Sequence, residues 1–179
     1  MAKVLNGLVI CFEILGFKDS IPKRKLAILM FYTQLSNLVT ILSSVLFLII
    51  GEKAAWMRYL STCMLTMTFM VTLFVLVPMG GGFKQLMLSG NGLYHHTLCP
   101  IVSVLSYVFL EPHAGIWQIP VAVTMAYGFI MMLLNGLGIC DGPYPFFRVR
   151  QQPVYATILW AIVLFLLISG VSLLFARLG

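Results

Sequence analysis

Two side-chain types in this sequence could perform nucleophilic chemistry together: the hydroxyl of Thr33 and the adjacent imidazoles of His95 and His96. A threonine hydroxyl is a weak nucleophile, so it attacks a carbonyl carbon only where a base is positioned to accept its proton. Imidazole is the side chain that most often accepts a proton near neutral pH. Thr33 with His96, or with His95, is therefore a candidate pair of nucleophile and general base.

Helical periodicity places further polar residues beside both candidates. One stripe at spacing i, i+4, i+7, i+11 consists of Thr33, Asn37, Thr40 and Ser44. A second stripe consists of His96, Cys99, Ser103 and Ser106. Because adjacent residues differ by about 100° around a helix, His95 and His96 cannot both face one cavity, and the spacing favours His96. The alternative is structural: hydroxyls in spans often bond the i−4 carbonyl, and a histidine near a helix end often only packs.

The composition excludes most classes of protein that could host such a pair. Of 179 residues, 61% are hydrophobic and 9% are charged, and the mean hydropathy is +1.03. A soluble domain carries about 25% charged residues, so a soluble enzyme, a disordered chain and a fibrous repeat are excluded. The net charge of +6 is spread between apolar runs, which argues against nucleic-acid binding. A multi-pass membrane protein remains.

Six apolar segments are candidates for crossing a bilayer, which takes about 17–25 residues each. The predicted spans are 2–17, 26–50, 57–79, 92–111, 117–138 and 154–176. No period-2 alternation indicates strands, and an open sheet would leave backbone groups unpaired in lipid. The sequence therefore predicts an all-α protein: a polytopic bundle of six transmembrane helices in a single domain, 1–179.

The predicted topology brings the polar residues to one half of the membrane. Thr33 lies eight residues beyond Lys25, which is roughly 12 Å along a helix, and the span that carries the histidines starts from the same side. The fifth span ends there, followed by the segment 139–153, which we expect to form an ordered lid at the membrane surface. We expect a polar cavity open toward the 18–25 side. The residues predicted to orient the pair, stabilise an oxyanion or contact substrate are Gln34, Asn37, Asn135, Tyr144 and Arg148.

Neither a metal nor a cofactor is expected. Glu111 and His113 are potential ligands, but they should lie a membrane thickness away from His96, and no HxxxH or HExxH spacing occurs. Glu13 is a lone carboxylate within the first span, and it could pair with Arg58 or Lys3, relay a proton or stay protonated.

Three segments carry a resemblance to a known group of membrane proteins. They are FYTQLSNLVTIL (31–42), GNGLYHHTLCP (90–100) and DGPYPFFRV (141–149). Together they resemble a bacterial branch of six-span proteins that is similar to the androgen-induced family of animal membrane hydrolases, whose substrates are fatty acid esters of hydroxy fatty acids. The resemblance implies an intramembrane threonine nucleophile at Thr33 and a histidine at His95 or His96.

These patterns predict a hydrolase of lipid (fatty-acyl) esters that works inside the membrane with a Thr nucleophile and a His base. Its partners would be the bilayer and a lipid ester, and its location the bacterial plasma membrane. Two other functions fit the same residues: transport of a small solute, or binding of a lipid or partner without catalysis.

Overall fold

The computed structural model describes residues 1–178, with the side chains of Asp19, Lys23, Arg24 and Leu26 outside the description. All regular secondary structure in this part of the chain is helical, which confirms the all-α prediction. The helices are α1 (Ala2–Arg24), α2 (Tyr32–Ile50), α3 (Ala55–Val71, continued as a π-helix over Thr72–Gly81), α4 (Phe83–Met87), α5 (Gly90–Leu110), α6 (Gln118–Gly136) and α7 (Val154–Ala176). Short 3₁₀ turns occupy Lys25–Met30, Gly51–Ala54 and Pro145–Phe147.

Among the residues that the structure describes, four helical stretches are long and apolar enough to cross a bilayer. They are Tyr32–Gly81, Gly90–Leu110, Gln118–Gly136 and Val154–Ala176. The first contains α2 and α3, which turn back on each other at Gly51, where a positive φ of 61° suits glycine. These stretches indicate an integral membrane protein.

The bundle is built around α2 and α3, which pack side by side. α1 and α5 pack on one side of this pair, and α6 and α7 pack against α3 and each other. Small polar residues of α2 face inward, and Ser36, Asn37 and Ser43 have no exposed surface. Large apolar side chains such as Phe129 and Leu166 are exposed instead, as expected for a surface in contact with lipid.

The start of α2 differs from the predicted span. Residues Lys25–Met30 form a 3₁₀ turn, and Phe31 is extended at φ −97° and ψ 124°, so the α-helix begins only at Tyr32. Thr33 is then the second residue of α2, and its amide belongs to the first turn, whose N–H groups have no carbonyl four residues earlier in the helix. The break at Phe31 therefore exposes a backbone donor beside the candidate nucleophile.

The end of α1 also differs, because the helix runs to Arg24 rather than stopping near residue 17. Hydropathy marks where a segment leaves the hydrocarbon, whereas lysine and arginine are good helix formers that prolong a helix beyond it. The Ser20 hydroxyl donates to the Gly16 carbonyl at 2.9 Å within this extension.

The middle of the segment 139–153 is inserted into the bundle, whereas the sequence predicted a lid lying on the membrane surface. Its aromatic turn, which we define as residues 143–147, buries Tyr144, Phe146 and Phe147. The rings of Tyr144 and Phe146 stack at 5.2 Å between centroids, and Phe146 lies 5.5 Å from Trp160 of α7. Aromatic burial of this extent outweighs an interfacial position, because each ring removes a large apolar area from water.

Candidate functional site

Thr33 is held by the aromatic turn. Its side chain is 7% exposed, and its Oγ1 lies 3.1 Å from the Tyr144 hydroxyl oxygen. The same phenolic oxygen accepts a hydrogen bond from the Thr33 backbone N–H at 3.2 Å. The extended conformation of Phe31 and the start of α2 at Tyr32 make that N–H available, so one oxygen of Tyr144 contacts both the hydroxyl and the backbone N–H of Thr33.

His96 is oriented by the backbone of α4. Its Nδ1 lies 2.7 Å from the Leu86 carbonyl oxygen, and the neighbouring Thr97 hydroxyl donates to the Met87 carbonyl at 2.7 Å. Because a carbonyl only accepts, Nδ1 must carry the proton in this contact. In the neutral ring, Nε2 then carries the lone pair, which is the form a general base requires.

Thr33 and His96 line the same cavity. This cavity, which we call the polar cavity because its wall carries more polar groups than that of its neighbour, has a volume of about 410 Å³ and lies between α2, the π-helical continuation of α3, α4, the start of α5 and the aromatic turn. Gln34 and Asn91 add side-chain amides to its wall. Asn91 also donates to the Ser20 hydroxyl at 2.9 Å, which places the cavity at the end of the bundle where α1 ends.

A second, apolar cavity of about 50 Å³ adjoins the first. Thr33, Leu76 and Tyr144 belong to the walls of both cavities. The remaining wall is mainly apolar and comes from α3, α6, α7 and the aromatic turn; it includes Met67, Val71, Met125, Met132, Trp160 and Leu164. The candidate nucleophile thus stands where a polar and an apolar space meet.

His95 belongs to a different environment. It is fully buried, its Nδ1 lies 2.8 Å from Glu13 Oε2, and its ring meets the edge of Phe17 at 4.8 Å. A Cβ atom at Gly16 would lie 2.5 Å from His95 Cε1, so this glycine permits the ring to pack against α1. Glu13, for which the sequence left several partners open, therefore pairs with His95.

The other predicted site residues divide between the cavity and the scaffold. Gln34 lines the polar cavity, and its Oε1 has no hydrogen-bond partner among the described residues. Asn37 is fully buried, and neither of its side-chain polar atoms has a partner within the described part of the chain. Asn135 donates to the Cys140 carbonyl at 2.9 Å and accepts from the Arg150 amide, so it holds the segment that carries the aromatic turn. Arg148 is exposed, and it is not among the residues that line these two cavities.

A buried ion pair at the opposite end of the bundle escaped the sequence analysis. Arg58 Nε lies 2.9 Å from Glu111 Oε2, and both side chains are fully buried. Hydroxyls and an amide complete the cluster around this pair; they come from Asn6, Ser43, Ser44, Ser61, Ser103 and Ser106. The available signal was that both polar stripes continue past the middle of their helices, to Ser44 and Ser106.

Within residues 1–178, no group of three or more His, Cys, Asp or Glu side chains comes together in a way that could hold a metal ion. Comparisons of the chain with protein-family models, with curated proteins and with solved structures find no match.

Proposed function

We propose that this protein is an intramembrane hydrolase of lipid (fatty-acyl) esters, with Thr33 as the nucleophile and His96 as the general base. The observation that carries the proposal is that Thr33 and His96, 63 positions apart in the sequence, line one cavity at one end of the bundle. The resemblance of three sequence segments to the androgen-induced hydrolases supports the same pair of residue types.

We also propose that six helices cross the membrane, namely α1, α2, α3, α5, α6 and α7. Two buried pairs support including α1 in this set, because Glu13 faces His95 and Asn6 donates to Glu111 at 2.8 Å. Ionisable residues inside a membrane are stable where they face a partner on another helix. The location that follows is a multi-pass position in the plasma membrane, which we propose to be bacterial.

The first half of the reaction would acylate Thr33. Its Oγ1 attacks the ester carbonyl carbon while His96 Nε2 takes the hydroxyl proton. The tetrahedral intermediate collapses with cleavage of the bond between the carbonyl carbon and the alcohol oxygen, and His96 returns the proton to that oxygen. The alcohol leaves, and the acyl group stays on Thr33 as an ester.

The second half would restore the enzyme. A water molecule attacks the acyl carbon, His96 accepts a proton from this water, and cleavage of the bond to Oγ1 releases the carboxylic acid as Thr33 regains a proton from His96. The Thr33 N–H at the start of α2 is the group that would stabilise the oxyanion, because an amide at a helix N-terminus favours negative charge. The Tyr144 oxygen occupies that donor, so substrate would have to displace it.

Fluorophosphonate labelling of the purified protein tests the proposal directly. We expect labelling of the wild type and of Thr33→Ser, and none of Thr33→Ala. His96→Gln should lower the labelling rate by about 10²–10⁴-fold, the usual worth of a general base. His95→Gln is the matched control, because His95 pairs with Glu13 elsewhere, and its folded fraction should be labelled at the wild-type rate.

Hydrolysis of fatty-acyl esters by the same variants completes this test. Labelling or hydrolysis that is indifferent to both Thr33→Ala and His96→Gln would overturn the mechanism. Tight lipid binding without labelling in any variant would instead favour a lipid-binding protein in which the Thr33 hydroxyl serves only to bond Tyr144.

A further inference from the structure

We infer that the substrate is an ester of a short acyl chain with a small hydroxylated alcohol, such as a glycerol monoester. The acyl chain would occupy the apolar cavity, and the alcohol portion the polar cavity. This inference rests on the proposed function and deepens it by naming both parts of the substrate.

Thr33 lies between the two cavities. An ester bound for attack must place its carbonyl carbon next to Oγ1, so its two arms extend to opposite sides of that atom. Thr33 is part of both walls, and the two walls differ in polarity. Each arm of the ester therefore meets a different chemical environment.

The apolar cavity suits a hydrocarbon chain because most of the hydroxyl groups around it already take part in hydrogen bonds within the protein. The Tyr32 hydroxyl lies 2.7 Å from Thr124 Oγ1, and the Thr68 hydroxyl lies 3.0 Å from Ser36 Oγ. The Tyr127 hydroxyl donates to the Met30 carbonyl at 2.6 Å. A polar occupant would find these donors and acceptors already engaged and would lose its own hydrogen bonds to water.

The size of the apolar cavity limits the length of the chain. One water-sized group needs about 10–15 Å³ of such space, and the cavity offers about 50 Å³. It therefore holds about three to five methylene-sized groups, which corresponds to an acyl chain of about four to six carbons including the carbonyl. Trp160 and Leu164 of α7 form part of its wall.

The polar cavity suits a hydroxylated alcohol. Gln34 is 3% exposed, lines this cavity, and presents an Oε1 with no hydrogen-bond partner among the described residues. A buried acceptor without a donor costs free energy, which a hydroxyl on the bound alcohol would recover. The cavity volume of about 410 Å³ leaves room for that alcohol and for a hydrolytic water. A second long acyl chain in this cavity would leave the Gln34 amide without a hydrogen-bond partner.

A series of glycerol monoesters with acyl chains of four to sixteen carbons tests the acyl half. We expect kcat/KM to be highest at about four to six carbons and to fall at least tenfold by twelve. Gly128→Ala adds a methyl group to the wall, and its Cβ would meet Phe147 Cε1 at an ordinary 3.5 Å, so the helix tolerates it. This variant should shift the optimum by about one carbon toward shorter chains. Gly170→Ala is the matched control, since its Cβ meets nothing within 4 Å.

The alcohol half is tested with methyl and glycerol esters of the same acid. The wild type should prefer the glycerol ester by about tenfold in kcat/KM, as one good hydrogen bond allows. Gln34→Met keeps the length of the side chain but removes its acceptor, and it should abolish this preference for the glycerol ester.

The possible failures are distinguishable. Absence of hydrolysis and of fluorophosphonate labelling in the wild type would overturn the proposed function, and the inference with it. Thr33-dependent hydrolysis that favours long-chain or two-chain esters, or a chain-length optimum that Gly128→Ala does not move, would overturn the inference alone. So would a glycerol preference that survives Gln34→Met.

Discussion

The Tyr144 hydroxyl oxygen lies 3.1 Å from Thr33 Oγ1 and 3.2 Å from the Thr33 backbone nitrogen. When Oγ1 attacks the carbonyl carbon of an ester, the carbonyl oxygen lies close to Oγ1 and needs an amide donor. The aromatic turn therefore presents an oxygen atom of the protein where the proposed reaction requires an oxygen atom of the substrate.

Tyr144→Phe should accelerate the fluorophosphonate labelling of Thr33. The variant removes the competing oxygen but keeps the ring that stacks on Phe146. One hydrogen bond contributes about 0.5–1.5 kcal/mol net, so the labelling rate should rise by about two- to tenfold. Slower labelling at unchanged stability would show that the phenol assists the reaction rather than competing with substrate.

The ion pair between Arg58 and Glu111 should respond asymmetrically to substitution. Arg58→Met leaves a buried carboxylate without its partner and should lower the free energy of unfolding by about 3–5 kcal/mol. Arg58→Met combined with Glu111→Met removes both charges and should recover most of that loss. Thermal unfolding in detergent measures both variants.

The matched control for this pair is Lys53→Met, which removes an exposed cation from the same end of the bundle and should change stability little. If the double variant were no more stable than Arg58→Met alone, the loss of stability in Arg58→Met could not be attributed to the unpaired carboxylate of Glu111.

Gly16→Ala should destabilise the contact between α1 and α5. The new Cβ would lie 2.5–2.8 Å from three atoms of the His95 ring, so the ring must move away from α1. Overpacking of this kind costs about 1–3 kcal/mol. Gly7→Ala on the same helix is the control, because its Cβ meets nothing within 4 Å. Equal melting temperatures for the two variants would refute the close packing of His95.

Gly92→Ala should disturb His96 through the backbone of α4. A Cβ at this position would lie 2.3 Å from the Leu86 carbonyl oxygen, the acceptor that orients Nδ1 of His96. The carbonyl must shift, and the labelling rate of Thr33 per folded molecule should fall at least tenfold. A positioned general base accelerates a reaction by about 10²–10⁴-fold, and misplacing His96 should lose part of that factor. Gly170→Ala, an alanine exchange in open space, should label normally. An undiminished rate in Gly92→Ala would show that the Leu86 contact does not matter to the base.

The sequence favoured His96 for the cavity, and the structure places His96 there, but for a different reason. A regular α-helix puts His96 in line with Cys99 and Ser103. The start of α5 is instead a π-helix over Leu93–Leu98, which widens each turn by about one residue. His95 thus joins the buried stripe, and His96 lines the cavity that Thr33 also lines. A local change of helix type is set by packing that no periodicity in the sequence reveals.

The helical architecture followed from hydropathy, because apolar segments of sufficient length leave few alternatives in a bilayer. Two features of the site did not. The aromatic turn looked suited to the interface, and only the tertiary packing of Tyr144 against Phe31 and of Phe146 against Trp160 shows that it enters the bundle. The pairing of Arg58 with Glu111 depends on contact between α3 and α5, which segments 53 positions apart do not specify.

The cluster formed by Arg58, Glu111 and the surrounding serines joins the helices at one end of the bundle, about eleven residues along α2 from Thr33. Because the helices are joined at that end, we expect them to separate more readily at the other. The substrate of the proposed hydrolysis would then enter from a single leaflet, and its products would leave through the same opening.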